Sequence, residues 1–415
     1  MQKANQVLLH ETVKIGANLE KWRELGGGDA LIKALDNPAQ VLKTVKSAGL
    51  RGLGGSGFPT HIKWHAVAAN AGNPDKYLIC NGNEDEPGTY KDQTLMSQTP
   101  HQVIEGAFIA ALATGTNKVI FYINPGIAES VSAMETALGQ WKNSEFIDLI
   151  SEKLGTKLDA KIHISSGHYI GGEETAAIES VEGKFPFPRG KPPYPAESGV
   201  FNCPTLINNI ETLANVPHIV KKGASWHRNL GLGNAVGTKI FSLSGDVINP
   251  GVIELPKGTP LSELIFHHGG GMLQGKTLKA VFMGGPSNTI LTKNDLDVPL
   301  DFDSVKKRRS GLGTGAVIVI SEGTGIVKRV AEYVSFFEHS SCGQCPPCKT
   351  GTYYISMLLD SIDTGRGSQT ELDALSNLCK ILPGSGRCHL LDGAIAVVKS
   401  SLFHFMDEYK QSLKR

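Results

Sequence analysis

No sign of charge predominates in this chain. Its 415 residues carry 41 basic and 40 acidic side chains, so neither nucleic acid nor an anionic membrane surface is an expected partner. No run approaches eighteen apolar residues, which excludes a spanning helix and direct membrane insertion. The opening MQKANQVLLHETVKIG has no basic segment followed by a long apolar stretch, so no signal peptide is expected. The seven cysteines form no framework of even pairs, which argues against a disulfide-stapled secreted fold and for a reducing compartment. A cytoplasmic protein is expected, either free or docked peripherally on the cytoplasmic side of a membrane complex through other subunits. What the chain does have is length, enough for two to four domains with real cores.

Four of the cysteines stand in a ligand pattern. Cys342, Cys345 and Cys348 occupy SSCGQCPPCKTG, and Cys388 follows in GSGRCHLLDG. Three thiolates at this spacing can wrap three corners of an iron–sulfur cube from one loop, and Cys388 is placed to close the fourth. Zinc competes for such clusters, but its sites usually read as two separated pairs, and a tandem triple crowds a single tetrahedral ion. A 4Fe-4S cluster is therefore the expectation, and with it electron transfer. Cys379 lies in the helical run LSNLCKIL, where a buried apolar cysteine is ordinary.

Along the chain, residues 1–40 read as a short helical lead-in. Strand-like runs at 76–84, 118–125 and 161–167 alternate with amphipathic helices, HQVIEGAFIAALATG and IAESVSAMETALGQW among them. That alternation predicts a layered α/β domain over 41–236, with a largely parallel sheet and a ligand site at the carboxyl ends of its strands. A second unit, 237–322, has two β runs joined by an Asn-Pro-Gly turn, then a helix and two more strands, KAVFMGG and GAVIVISEG. From 323 to 415 four helical segments surround the cysteine pattern, as a bundle holding the cube would.

Three loops carry further chemistry. The glycine-rich stretch 49–64, GLRGLGGSGFPTHIKW, can turn backbone amides inward as an anion nest, with Lys63 adding charge. Alone it is a weak signal, since many such loops are only turns. The stretch 80–92, CNGNEDEPGTYKD, ends a strand with Glu84, Asp85, Glu86 and Asp92, and its Asn81 and Asn83 offer amides for a ring edge or ribose. Its competing reading is a solvated acidic loop; the Pro-Gly that follows and the absence of ligands at alternating positions oppose a calcium loop. In 167–183, GHYIGGEETAAIESVEG, Tyr169 could stack on a planar cofactor and Glu173 and Glu174 could meet its hydroxyls. Equally, those two carboxylates could simply complement a helix N-terminus, an effect of about 0.3–1 kcal/mol.

The order of these loops, then KPPYPAESG, PTLINNIETLANVP and SCGQCPPCKTG, resembles the NADH-binding flavoprotein subunit of respiratory complex I. The same architecture serves as the diaphorase subunit of NAD-dependent formate dehydrogenases and NAD-reducing hydrogenases. The resemblance covers roughly residues 40 to 410. It implies a Rossmann-like α/β domain with FMN, a β-grasp (ubiquitin-like, SLBB) module of structural role, and a C-terminal four-helix bundle carrying the cluster. It places FMN against Gly52, Gly54 and Lys63, then Asn81, Asn83 and Glu84, then Gly172, with Asn208, Asn209 and Thr212 completing the site. It places NAD(H) against Phe58, Glu86, Tyr169, Glu173, Glu174, Lys191 and Tyr194, with Glu86 and Tyr169 at the nicotinamide end. Implied partners are a thioredoxin-like 2Fe-2S subunit, for which the first 40 residues are too short, and a larger iron–sulfur or molybdenum/nickel catalytic subunit.

Departures from the family pattern are Leu53 for a usual Arg, Asn83 for a usual Asp, Ala66 for a frequent aromatic and Gly171 for a common Cys. The first two exchange one charge of each sign and suggest a diaphorase branch. The implied function is conversion of a two-electron hydride into single electrons by nicotinamide, FMN and cube. The alternative is a non-catalytic relay or assembly subunit that keeps only the cube. Membrane ion-pump relatives usually end in ferredoxin-like paired cysteine motifs, which this chain lacks.

Overall fold

The computed structural model describes residues 6–70, 72 and 75–413; the first five residues of the expected lead-in and the last two of the tail lie outside them. The lead-in holds short helices Leu19–Glu24 and Asp29–Asp36, and Pro38–Ala48 then runs into the glycine loop. Four parallel strands follow: β1 (Tyr77–Gly82), β2 (Lys118–Ile123), β3 (Asp159–Ile164) and β4 (Thr205–Asn209). β1 and β2 are nearly continuous apolar runs because helices cover both faces of the sheet. One of these, Pro100–Thr114, is buried along its whole length.

The strand order is β3-β2-β1-β4. The chain therefore leaves β1 toward β2 and later returns on the other side of β1 as β4. Such a reversal opens a crevice outside the carboxyl ends of β1 and β4, where open α/β sheets bind ligands. Asn81 and Asn209 are register partners at that end.

The second sheet is mixed and five-stranded: β5 (Thr238–Gly245), β6 (Gly251–Pro256), β7 (Leu278–Met283), β8 (Ile290–Leu291) and β9 (Ala316–Ser321), in the order β6-β5-β9-β7-β8. Its expected helix is the π-helical segment Glu263–His268. Side chains alternate across this sheet with period two. Val281, Met283, Val317 and Val319 face the module's own core, while Ala280, Phe282, Ile318 and Ile320 join the core of the helical tail. The tail comprises Ile326–Ser340, Pro346–Asp363, Gln369–Ile381 and Leu390–Gln411, packed on one another. Among the described residues, no helix is long and apolar enough to cross a membrane.

Candidate functional site

The crevice widens into a cavity of about 560 Å³ lined from all three units. The glycine loop contributes Gly54 and Gly55, the loop after β1 contributes Asn81, Asn83, Glu84, Asp85 and Glu86, and Asn209 closes the β4 side. Tyr169, Gly172 and Glu173 come from the 167–183 segment. The polar network is local and well satisfied. Asn81 Nδ2 donates to the Gly172 carbonyl at 2.9 Å, and Asn83 Nδ2 donates to the His168 carbonyl at 3.2 Å while Ser165 donates to its Oδ1. An Asp at position 83 could not donate the bond to the His168 carbonyl, so Asn83 suits its surroundings.

Glu86 is held at both oxygens. Tyr169 Oη donates to Oε2 at 2.6 Å and the Ser287 N–H donates to Oε1 at 3.2 Å. Burial pushes its carboxyl above the ordinary range, against the pull of those donors. Gly285 has φ +93°, and a Cβ there would collide with Glu86 Oε1, so only glycine lets the 284–288 turn approach. Gly284, Asn288, Gly313 and Thr314 of the same module also line the cavity. The module expected to be structural thus forms one wall of the site.

Not every residue singled out in the sequence reaches the cavity. On β4 successive side chains point to opposite faces; Asn209 faces the cavity, whereas Asn208 Oδ1 accepts from the buried Trp64 indole at 2.7 Å. Thr212 Oγ1 accepts the Leu53 N–H at 2.8 Å and so anchors the glycine loop from behind. The Gly52 N–H is turned to the Phe58 carbonyl at 2.8 Å, within the loop itself. Phe58 and Tyr194 are exposed rings.

Glu173 and Glu174 divide their roles. Glu173 caps the helix Glu174–Val181, accepting from Thr175 and Ala176 N–H groups at 2.8 and 2.9 Å. Glu174 is clasped between Lys63 and Lys191, at 2.6 and 2.5 Å, and Lys191 also approaches Glu173. Burial alone would raise the Glu174 carboxyl, but the two lysines outweigh it and hold it below the ordinary range. These pairs are a quarter to a third exposed, so each is worth about 1 kcal/mol or less, little enough for an incoming phosphate to compete.

The cysteines meet beside this cavity. Cys342, Cys345, Cys348 and Cys388 surround a second, smaller space together with Ile170, Pro188 and Leu390. Among the described residues no three metal-binding side chains close on a single ion. The four thiols line one common space. The Arg387 N–H donates to Cys345 Sγ at 3.4 Å, and Gln344 Oε1 is buried without a partner. Burial pushes the Cys388 thiol up to about 11 and raises Cys348 as well; bound iron would hold both as thiolates. Cys379 sits apart, buried in Gln369–Ile381. Ile170, Cys388 and Leu390 border both cavities, so one layer of side chains separates them. Lys91, His389, Asp392 and Gly393, none of them picked out in the sequence as site residues, also line the larger one.

A wall one side chain thick between a cavity of about 560 Å³ and a four-thiol site is the arrangement that an electron-transfer flavoprotein needs. Comparison with known proteins makes this specific. A family model for the Nuo51 FMN-binding domain matches residues 45–218, one for the SLBB domain matches 240–290, and one for the NADH-ubiquinone oxidoreductase-F iron-sulfur binding region matches 328–412. The chain is 42% identical over 406 residues to an NADH-quinone oxidoreductase subunit of Rhizobium meliloti, covering 97% of this chain and 96% of that one. The corresponding NADH-quinone oxidoreductase subunit of Mycobacterium tuberculosis is 40% identical over 397 residues, 95% and 89% of the two chains. An NAD+-reducing [NiFe]-hydrogenase in the H2-reduced state superimposes with a TM-score of 0.85 at 34% identity, over 95% of this chain and 67% of that one. The chain belongs to the family of NADH-oxidising flavoprotein subunits that carry FMN and a 4Fe-4S cluster within multisubunit complexes.

Proposed function

We propose that the larger cavity holds FMN with NAD(H) stacked over it, and that Cys342, Cys345, Cys348 and Cys388 hold the 4Fe-4S cluster behind the Ile170–Cys388–Leu390 wall. The observation that carries this reading is that wall, which keeps the two centres adjacent. Flavin accepts a hydride's two electrons together and releases them singly to a cube, which takes one at a time. Within that scheme Gly54, Asn81, Asn83, Glu84, Gly172 and Asn209 form the flavin's bed, with Gly52, Asn208 and Thr212 supporting it from behind. Gly54 is close-packed there: a Cβ would lie 2.9 Å from Asn209 Cβ. Glu86, fixed by Tyr169 and Ser287, orients the nicotinamide end, and Tyr169 closes the pocket against the tail. Lys63 and Lys191 are the cations available to phosphates, with Glu173, Glu174, Phe58 and Tyr194 at the rim.

The domain limits belong to the same reading: 1–40, 41–236, 237–322 as a β-grasp module, and 323–415 as a four-helix bundle. So do a thioredoxin-like 2Fe-2S subunit and a larger iron–sulfur or molybdenum/nickel subunit as partners, and a cytoplasmic, peripheral location. About a third of the NAD+-reducing hydrogenase chain lies outside the part that this chain matches. The test is anaerobic purification followed by assay with NADH and an artificial acceptor. Turnover dependent on bound FMN is the expected result; full FMN loading without NADH oxidation contradicts the proposed site. Molybdenum or nickel in the complex captured from its native host would name the larger partner.

A further inference from the structure

At the floor of the larger cavity and beneath it the chain gathers five charged side chains. Lys91, Glu211 and Lys239 are at most 1% exposed, and Asp92 is 4% exposed. Lys239 Nζ lies 3.0 Å from Glu211 Oε2, and Lys91 Nζ lies 2.7 Å from Asp92 Oδ1 and 3.2 Å from Glu211. These two lysines and two carboxylates cancel. Neutral groups complete them: Asn209 donates to Asp92 Oδ2 at 2.7 Å and accepts from Lys91 at 3.0 Å, and the Ile240 N–H donates to Glu211 at 2.8 Å.

Glu84 is the fifth member, and it has no cation of its own. Lys91 is the cation that acts on it, and Lys91 is already paired with Asp92 and Glu211. The Glu84 oxygens instead accept the Asp92 and Gln93 N–H groups at 2.8 and 3.0 Å, at the start of the helix Lys91–Gln98. Burial, then the neighbouring charge of Asp92, pushes this carboxyl up to about 7 against the pull of Lys91 and those donors. The remaining titratable side chains around the cavity are Asp85 and Glu86 on its own loop, Tyr169 and Glu173 opposite, and Cys388, His389 and Asp392 where the helix Leu390–Gln411 begins. None of these is a fixed cation.

We propose that Glu84 takes up a proton from solvent when the flavin in this cavity is reduced and releases it when the electrons leave for the cluster. This rests on FMN occupying the cavity. A hydride brings two electrons and one proton, so its transfer from NADH adds one negative charge beside the odd carboxylate of the cluster. Glu84 offsets that charge by binding a second proton. When the two electrons pass on singly, the hydride's proton and the one on Glu84 both return to water. Added negative charge raises the proton affinity of Glu84. Uptake therefore accompanies reduction from about pH 7 up to the higher pH at which the carboxyl stays ionised even beside the reduced flavin. It ceases at lower pH, where Glu84 already carries its proton.

A redox titration of the bound flavin in the holoprotein, from about pH 6 to about pH 9, tests this. Each proton taken up with two electrons changes the equilibrium constant tenfold per pH unit, about 30 mV. Wild type should lose about 60 mV per pH unit just above neutrality and Glu84→Gln about 30 mV. A reduced-minus-oxidised infrared spectrum should show a protonated-carboxyl band in wild type that Glu84→Gln lacks. Equal slopes and no such band overturn the proposal. A wild-type protein that holds no flavin fails the FMN reading instead. Should Glu84→Gln not retain flavin, Asp92→Asn decides the matter by moving the wild-type break to lower pH, and an unmoved break is contrary.

Discussion

Tyr169 donates its phenolic hydrogen to Glu86 Oε2 at 2.6 Å while its ring meets Phe336 edge-on at 5.1 Å. One side chain thus ties the carboxylate assigned to the nicotinamide end to the helix Ile326–Ser340 of the cluster-bearing tail. Tyr169→Phe keeps the ring contact and removes only the hydrogen bond. A bond to a charged group is worth about 1.5–3 kcal/mol, so kcat/KM for NADH should fall roughly ten- to hundredfold with iron content unchanged. Steady-state kinetics beside iron analysis separates this from a packing defect, which would lower both.

The proposed cluster would rest on four named thiols. Anaerobically purified protein should contain about four irons and four acid-labile sulfides per chain. Cys388→Ser should lose or destabilise the cluster. Cys379→Ser should not, because Cys379 is buried among the tail's apolar side chains and borders neither cavity. Full iron content in Cys388→Ser would show that the fourth ligand lies elsewhere.

Cofactor identity follows from the one glycine loop, since no second Gly-x-Gly-x-x-Gly turn exists for an adenine dinucleotide half. Denaturation should release FMN. Stoichiometric FAD in the supernatant would contradict the site as drawn.

In the proposed site, nucleotide choice should depend on Glu174 more than on the mere number of acidic residues. Glu173 and Glu174 face Lys63 and Lys191, so this corner carries no net charge to favour an added 2′-phosphate. NADH should be preferred over NADPH. Glu174→Gln frees two lysines to meet a phosphate of about −1.5 to −2 charge, and should narrow the gap about tenfold or more. Glu173→Gln should act less on selectivity and more on stability, through the helix cap, by about 1 kcal/mol. Comparing kcat/KM for the two nucleotides with the thermal midpoint of each variant distinguishes the two roles.

Much of this was legible in the residues. β1 and β2 announce themselves as apolar runs between amphipathic helices, and the four tail helices read off their periodicity. β3, read as a buried strand at 161–167, is instead the mostly unburied edge strand Asp159–Ile164. β4 did not announce itself, because TLINN ends in two asparagines and gives no apolar run; it is a strand because it pairs with β1. The alternation that separates Asn209 from Asn208 became visible only with that pairing. The charged cluster was hidden for a different reason. Lys91, Asp92, Glu211 and Lys239 look like surface residues in sequence, and only folding shows that they neutralise one another. The wall made by Ser287, Asn288 and Thr314 joins the acidic loop from some two hundred positions away, beyond the reach of any local pattern.

In the proposed arrangement nicotinamide, flavin and cube form one continuous path through this chain. Low-temperature electron paramagnetic resonance of anaerobic, FMN-loaded protein mixed with NADH tests it directly. A reduced 4Fe-4S signal should appear with NADH, be lost in Cys388→Ser, and be absent from flavin-stripped protein. A cluster that stays oxidised with NADH while dithionite reduces it would contradict the path.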